Sequence, residues 1–158
     1  MRNKIRGNES KIGDDHCVNV GVLHLNVQGV HGKEGALEMF LSDHKNSEVA
    51  CFSEHWLKEE EVAFFSLHGW KIAHSFSRSV MGRGGVMTLC RSAVNFVCHS
   101  DVNRHSVEFH CELSSIKLVN VDLLIIAVYR SPSGNMHIFL DTFEKLFNSI
   151  GKYDSRII

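Results

Sequence analysis

Between Val86 and Tyr129, five strand-like segments follow one another in close succession, at 86–90, 93–98, 107–113, 116–120 and 123–129. Three of the joins are two residues long: Arg91-Ser92, Ser114-Ser115 and Val121-Asp122. A two-residue join turns a strand back onto its neighbour, whereas a parallel crossover needs a long connection. The stretch therefore predicts a meander of antiparallel hairpins, and it commits much of the chain to sheet.

The preceding text has a different rhythm. Residues 18–27 (VNVGVLHLNV) read as a strand, with Val20, Val22, His24 and Asn26 on one face and Gly21, Leu23, Leu25 and Val27 on the other. Gly29 and Gly32 break it, and 34–44 places Leu37, Phe40, Leu41 and His44 on one helical stripe. Residues 48–53 (EVACFS) form a short, nearly continuous apolar strand, of the kind buried on both faces beside a parallel neighbour. Strand, helix and strand make a βαβ unit, with the right-handed crossover such units adopt. A short helix at 58–65, opened by Glu59, Glu60 and Glu61, and a strand at 70–76 come next. A loop with three glycines, 77–85, leads into the meander.

The strongest helical pattern covers 136–150, where Met136, Phe139, Leu140, Phe143, Leu146, Phe147 and Ile150 recur at helical spacing. Asn135 is placed to cap this helix and Gly151 to end it. Ile157 and Ile158, two β-branched residues, read as the opening of another strand. The expectation is one α/β domain: a mixed sheet, outer helices and an antiparallel meander.

Composition narrows the function classes. Lys and Arg number 17 against 18 Asp and Glu, a formal net charge of −1. No basic excess marks a nucleic-acid binder, and no acidic block marks a tail. The longest wholly apolar run is 123–129, well short of the ~20 residues of a membrane span. The first residues are polar and lack the apolar core of a secretion signal. A disordered polar leader over 1–16, an intracellular location and no membrane partner are expected. The five cysteines, at 17, 51, 90, 98 and 111, form no C-x-x-C pair. No Cys/His pairs recur at zinc spacing, so the cysteines read as buried reduced thiols without a disulfide partner.

Three predicted strands end in polar groups after apolar runs: at Asn26, at Glu54, and at Tyr129-Arg130. Polar strand ends converge at one edge of a sheet, where α/β sites are usually built. Singly, each also fits a solvated loop residue, a turn residue or an amphipathic cover of the core.

The wording around these residues adds information. Leu25-Asn26-Val27-Gln28-Gly29 resembles the opening N-x-x-G strand of the endonuclease/exonuclease/phosphatase superfamily. Phe52-Ser53-Glu54-His55-Trp56-Leu57 resembles its second motif, an apolar strand ending in a metal-binding Glu. Gly82-Arg83-Gly84-Gly85-Val86 resembles its Gly-rich turn before a central strand. Tyr129-Arg130-Ser131-Pro132-Ser133-Gly134-Asn135 resembles its Y-R-x-P segment before an amphipathic helix. The four occur in order. The S-E-H-W-L and Y-R-x-P-S-G-N forms look most like the endonuclease domain of non-LTR (LINE-type) retrotransposons. Apurinic endonucleases of DNA repair share the fold but read Gln-Glu-Thr-Lys at the Glu motif, which this chain lacks.

That resemblance implies two mixed sheets packed face to face with helices outside, and a divalent-metal phosphodiesterase that nicks DNA using Mg²⁺ or Mn²⁺. It implies that Glu54 is the principal metal ligand, that Asn26 arranges the metal site, and that the Tyr129 hydroxyl lies near the phosphate. Arg130 is suited to a DNA phosphate, with Arg83 and His55 as further DNA-side residues. Nuclear access follows from the family role. The family continues into Asp-x-Asn and Asp-His motifs that orient and activate the attacking water. This chain stops at Ile158. The resemblance thus implies an incomplete, C-terminally truncated domain over 17–158, inactive alone. The alternatives are a non-catalytic nucleic-acid- or protein-binding remnant of the same fold, or a phosphatase of the same superfamily.

Overall fold

The apolar run that follows the first helix is buried on both faces. In the computed structural model it forms β2 (Ser47–Ser53), with β1 (Gly21–Asn26) parallel to it and α1 (Glu34–Asp43) between them in sequence. Val49 and Cys51 point to one face of β2, Ala50 and Phe52 to the other, and all four are buried. The structure describes residues 19–80, 82–151 and 156–158, so the expected leader and Cys17 lie outside the described residues. After a short helix, α2 (Glu59–Val62), come β3 (Trp70–Phe76) and β4 (Val86–Arg91). β4 runs antiparallel between β2 and β3, so the first sheet has the order β1-β2-β4-β3.

The meander is shorter than its text suggests, and it lies in a second sheet. β5 (Phe96–Cys98), β6 (Glu112–Leu118) and β7 (Leu123–Tyr129) pair antiparallel, and β8 (Arg156–Ile157) adds a parallel edge. β4 and β5 are consecutive but belong to different sheets. Residues 107–111, expected within a strand, form a tight backbone turn: Val107 and Cys111 exchange hydrogen bonds of 2.7 and 2.8 Å, and Phe109 has φ 72°. Ser114 and Ser115, expected as a turn, sit in the middle of β6. Their hydroxyls are satisfied there, Ser114 with Thr88 at 2.7 Å and Ser115 with the Asn103 side chain at 2.9 Å. A buried hydroxyl with a partner no longer favours a turn. Asn103 belongs to α3 (Ser100–Asn103), a short helix without a periodic signature in the sequence.

Between the sheets, Val49, Cys51, Val86 and Cys90 meet Ile116, Leu118, Leu123, Ile125 and Ala127. Outside the first sheet, Leu37 and Leu41 of α1 cover Ala50, Phe52, Met87 and Leu89. Outside the second, Leu146 and Ile150 of α4 (Met136–Ile150) cover Leu113 and Leu124. The order of layers is helix, sheet, sheet, helix, and the central strands alternate between an inner and an outer core. Asn135 caps α4 as expected, its side chain accepting from the His137 and Ile138 N–H groups at 2.9 and 3.3 Å. Cys51, Cys90 and Cys111 are buried and free, whereas Cys98 is exposed, because β5 is an edge strand. No helix among the described residues is long and apolar enough to cross a membrane.

Candidate active site

Three strand ends meet at one end of the sandwich. Asn26 closes β1, Glu54 follows β2, and Tyr129 closes β7 of the opposite sheet. The Asn26 side-chain amide and the Tyr129 hydroxyl each donate to Glu54 Oε1, both at 2.8 Å. Burial pushes the Glu54 pKa up, but these two bonds, with the charge of Arg78 behind them, outweigh it and hold the carboxyl below its ordinary value. Glu54 is therefore an anion at neutral pH. The Tyr129 phenol moves the other way, up to about 12, through burial and then through its bond to the carboxylate. It stays protonated and serves as a donor.

The carboxylate is aimed by an unusual backbone. Glu54 and Trp56 have φ 58° and 61°, with His55 between them. Left-handed φ at two non-glycine residues persists only where the surroundings hold it. Here two loops clamp the segment. Glu54 N–H donates to Gly85 O at 2.8 Å and Trp56 N–H to Gly84 O at 2.9 Å, while Gly29 N–H donates to Glu54 O at 2.7 Å. The glycines allow this approach. A Cβ on Gly29 would lie 2.6 Å from the Trp56 ring, and one on Gly85 would run into the His55 imidazole.

His55 lies beneath this turn. Its side chain is fully buried, which corrects the expectation that it faces DNA. Nε2 donates to the Phe76 carbonyl at 3.0 Å, and Nδ1 accepts from Leu57 N–H at 3.0 Å. Burial lowers its pKa to about 4, despite an opposing contribution from the Phe76 carbonyl. Because the folded value lies below the unfolded one near 6.5, the unfolded chain takes up the proton first on acidification. Stability is then fully present above pH 6.5 and falls until about pH 4. The full loss amounts to about 3 kcal/mol, since one pKa unit corresponds to about 1.4 kcal/mol. His74, also lowered by burial, acts in the same direction. Urea unfolding at pH 7 and pH 5 is expected to show wild type losing about 2 kcal/mol, with a shallower loss in His55→Gln. Equal losses in the two proteins would remove His55 from the account.

Behind Glu54 stands an ion pair that no periodicity announces. Glu112, fully buried at the start of β6, accepts from Arg78 Nε at 2.5 Å, from Gly85 N–H at 2.7 Å and from Phe109 N–H at 2.9 Å. The Arg78 side chain is 6% exposed, and Nη1 donates to the Arg83 carbonyl. The guanidinium lies 5.3 Å from the Phe109 ring centroid and 6.0 Å from that of Tyr129. Glu112 and Arg78 thus fasten the Gly-rich loop, and through Gly85 the Glu54 turn, to the second sheet. Glu108 holds the same loop further out, accepting from Ser79 and from Val80 N–H at 2.8–3.1 Å.

A cleft of about 610 Å³ opens beside Glu54 and Tyr129, with Trp56, Arg78, Arg83 and Phe109 among its walls. Arg83 is exposed, and its guanidinium lies 5.0 Å from the Trp56 ring centroid. Arg130 is directed elsewhere. Its Nη1 donates to the Ser131 and Gly134 carbonyls at 3.3 and 3.0 Å, bracing the turn before α4 rather than lining the cleft.

The donor chemistry suits a hard divalent cation in part. Glu54 supplies an ionised carboxylate, and Asn26 supports it. No cluster of three His, Cys, Asp or Glu that could hold a metal occurs among the described residues. A single carboxylate is a poor Mg²⁺ site by itself, because the ion takes further oxygen ligands such as substrate phosphates.

No protein-family model matches the chain, and neither does any curated protein. Among solved structures it is similar to the APE2 catalytic domain of Xenopus laevis, with TM-score 0.58 and 15% identity over 86% of this chain and 55% of that one. It is also similar to the AP endonuclease LMAP from Leishmania major, with TM-score 0.52 and 12% identity over 82% of this chain and 45% of that one. The chain spans about half the length of these two structures. At such identities the likeness concerns the fold, and it agrees with the layers and the two sheets described above. The chain has the two-sheet α/β architecture of the endonuclease/exonuclease/phosphatase fold.

Proposed function

We propose that this chain carries the metal-side part of a DNA endonuclease site, of the kind found in LINE-type retrotransposon endonuclease domains. The observation that carries the reading is the double hydrogen bond on Glu54 Oε1, from Asn26, 28 residues away, and from Tyr129, 75 residues away. It gathers three of the four motifs whose order resembles that family, while the fourth, the Gly-rich turn, clamps the Glu54 backbone. One solved structure of similar fold is that of an AP endonuclease, which supports a nuclease over a phosphatase. The S-E-H-W-L and Y-R-x-P-S-G-N wording supports the retrotransposon assignment. An intracellular setting with access to DNA goes with it.

Glu54 would hold Mg²⁺ or Mn²⁺, with Asn26 fixing the carboxylate's orientation. When bound, such an ion polarises the scissile phosphate and stabilises the leaving oxygen. Tyr129, whose one proton goes to Glu54 Oε1, fixes the carboxylate beside the place the phosphate would take, and Arg83 contributes a cation at the cleft mouth. Hydrolysis also needs an activated water. The described residues that line the cleft include no carboxylate or imidazole besides Glu54, and behind it the His55 imidazole is buried and doubly bonded and Glu112 is locked to Arg78. Groups that act as a unit lose most of their effect when one is missing. The 158-residue chain alone is therefore expected to bind Mn²⁺ weakly through Glu54 and to leave supercoiled plasmid intact. The test measures Mn²⁺ binding and plasmid nicking for wild type and Glu54→Ala. Metal binding that Glu54→Ala leaves unchanged would sink the site assignment. Nicking that Glu54→Ala abolishes would sink the claim of inactivity.

A further inference from the structure

The two ends of the Val27–Gln28 peptide lead to different partners. Its carbonyl accepts from Lys33 Nζ at 2.7 Å, and its N–H donates to Asn26 Oδ1 at 3.2 Å. The peptide is trans, so these two groups point in opposite directions across one rigid plane. Whatever fixes the carbonyl therefore aims the N–H. Lys33 is placed to do so. Its backbone leads into α1, its carbonyl accepting from Leu37 N–H at 2.9 Å, and its ammonium also donates to the Gln28 carbonyl at 2.9 Å. Gln28 itself has φ 45°, a left-handed conformation that a residue other than glycine keeps only where it is held.

The Gln28 N–H in turn decides which way the Asn26 amide faces. With Oδ1 committed to that N–H, Nδ2 is the end turned to Glu54 Oε1, where it donates at 2.8 Å. A reversed amide would set its oxygen against the carboxylate and its N–H against the Gln28 N–H. We propose that Lys33 is a positioning residue for the Glu54 carboxylate, acting through the Val27–Gln28 peptide and Asn26. Three hydrogen bonds in series join its ammonium to Glu54, and a cation at the head of such a series polarises each donor that follows. Lys33 thus orients the carboxylate's amide partner and strengthens the bond it makes, without lining the cleft. That Glu54 holds a metal rests on the nuclease reading, whereas the link from Lys33 to Glu54 does not need it.

The test titrates the Glu54 carboxyl by NMR in metal-free protein and measures Mn²⁺ binding. The proteins compared are wild type, Lys33→Met, Lys33→Arg, Asn26→Ala and the variant carrying both Lys33→Met and Asn26→Ala. Lys33 is exposed, so its replacement leaves the core untouched. Lys33→Met is expected to move the Glu54 titration up toward the ordinary carboxylate range. It should also weaken Mn²⁺ binding about 10-fold, the lower end for a group behind a metal ligand. Lys33→Arg keeps a cation with donors and retains most of both properties. Once Asn26 is alanine the series is already cut, so Lys33→Met adds nothing further. An unmoved titration in Lys33→Met, or a shift as large without Asn26 as with it, overturns the proposal. Mn²⁺ binding that Glu54→Ala leaves unchanged would remove the nuclease reading, and the metal-free titration would still decide the role of Lys33.

Discussion

Replacing Arg78 by Met is expected to destabilise the protein by about 3–5 kcal/mol, among the largest effects of any single substitution. The reason is the partner left behind. Glu112 is fully buried, and although two backbone N–H groups also reach it, its compensating charge is Arg78. Without that charge the carboxyl is left buried with no compensating cation. Removing both charges behaves differently, because the desolvation of two ions disappears with them. Arg78→Met combined with Glu112→Leu is expected to recover much of the stability lost in the single variant. Denaturant unfolding of the four proteins closes the cycle. A single-variant loss below about 1 kcal/mol would place the pair among ordinary surface ion pairs.

Gly85→Ala is expected to lose about 2–5 kcal/mol, from two separate causes. Gly85 has φ 86°, a conformation L side chains rarely adopt, and its Cβ would meet the His55 ring. That ring does not swing aside, because both its nitrogens are bonded to backbone. The damage reaches the site as well. Gly85 O receives the Glu54 N–H, and Gly85 N–H binds Glu112. Moving Gly85 therefore moves the carboxylate that Asn26 and Tyr129 share, and Mn²⁺ binding should weaken along with the melting temperature. Gly82→Ala is the control. No atom among the described residues lies within 4 Å of its added methyl, so its effect should stay within about 0.5 kcal/mol. If the two alanine variants melted together, the close approach at Gly85 would carry no weight.

Much of this architecture was legible because its elements carry unmixed periodicities. β3, β7 and α4 fall where the alternation and the helical stripe place them. Asn26, Glu54 and Tyr129 were legible as polar groups following buried strands. The misreadings share one cause: the identity of a partner is not written locally. Val107, Phe109 and Cys111 alternate as a strand would, yet they form a turn because Phe109 N–H binds Glu112. The two serines of β6 look like a turn until Thr88 and Asn103 arrive from elsewhere. Arg78 and Glu112 are 34 residues apart, one in a glycine-rich loop and one inside a misread strand, so neither drew notice. The sequence also left open that Glu54 and Tyr129 would come from different sheets.

That last point bears on the order of assembly. β6 and β7 form a short-range hairpin, whereas β2 must find β4 across the intervening helix and strand. Contacts between distant segments carry the larger loop-closure entropy and form later. The Glu54–Tyr129 hydrogen bond is later still, since it requires both sheets to be complete and docked. A chain that has made its hairpins but not joined its layers has a phenol and a carboxylate with nothing between them but solvent. Assembly of this centre therefore waits for the two layers to dock, and a molecule with undocked sheets has no Glu54–Tyr129 pair.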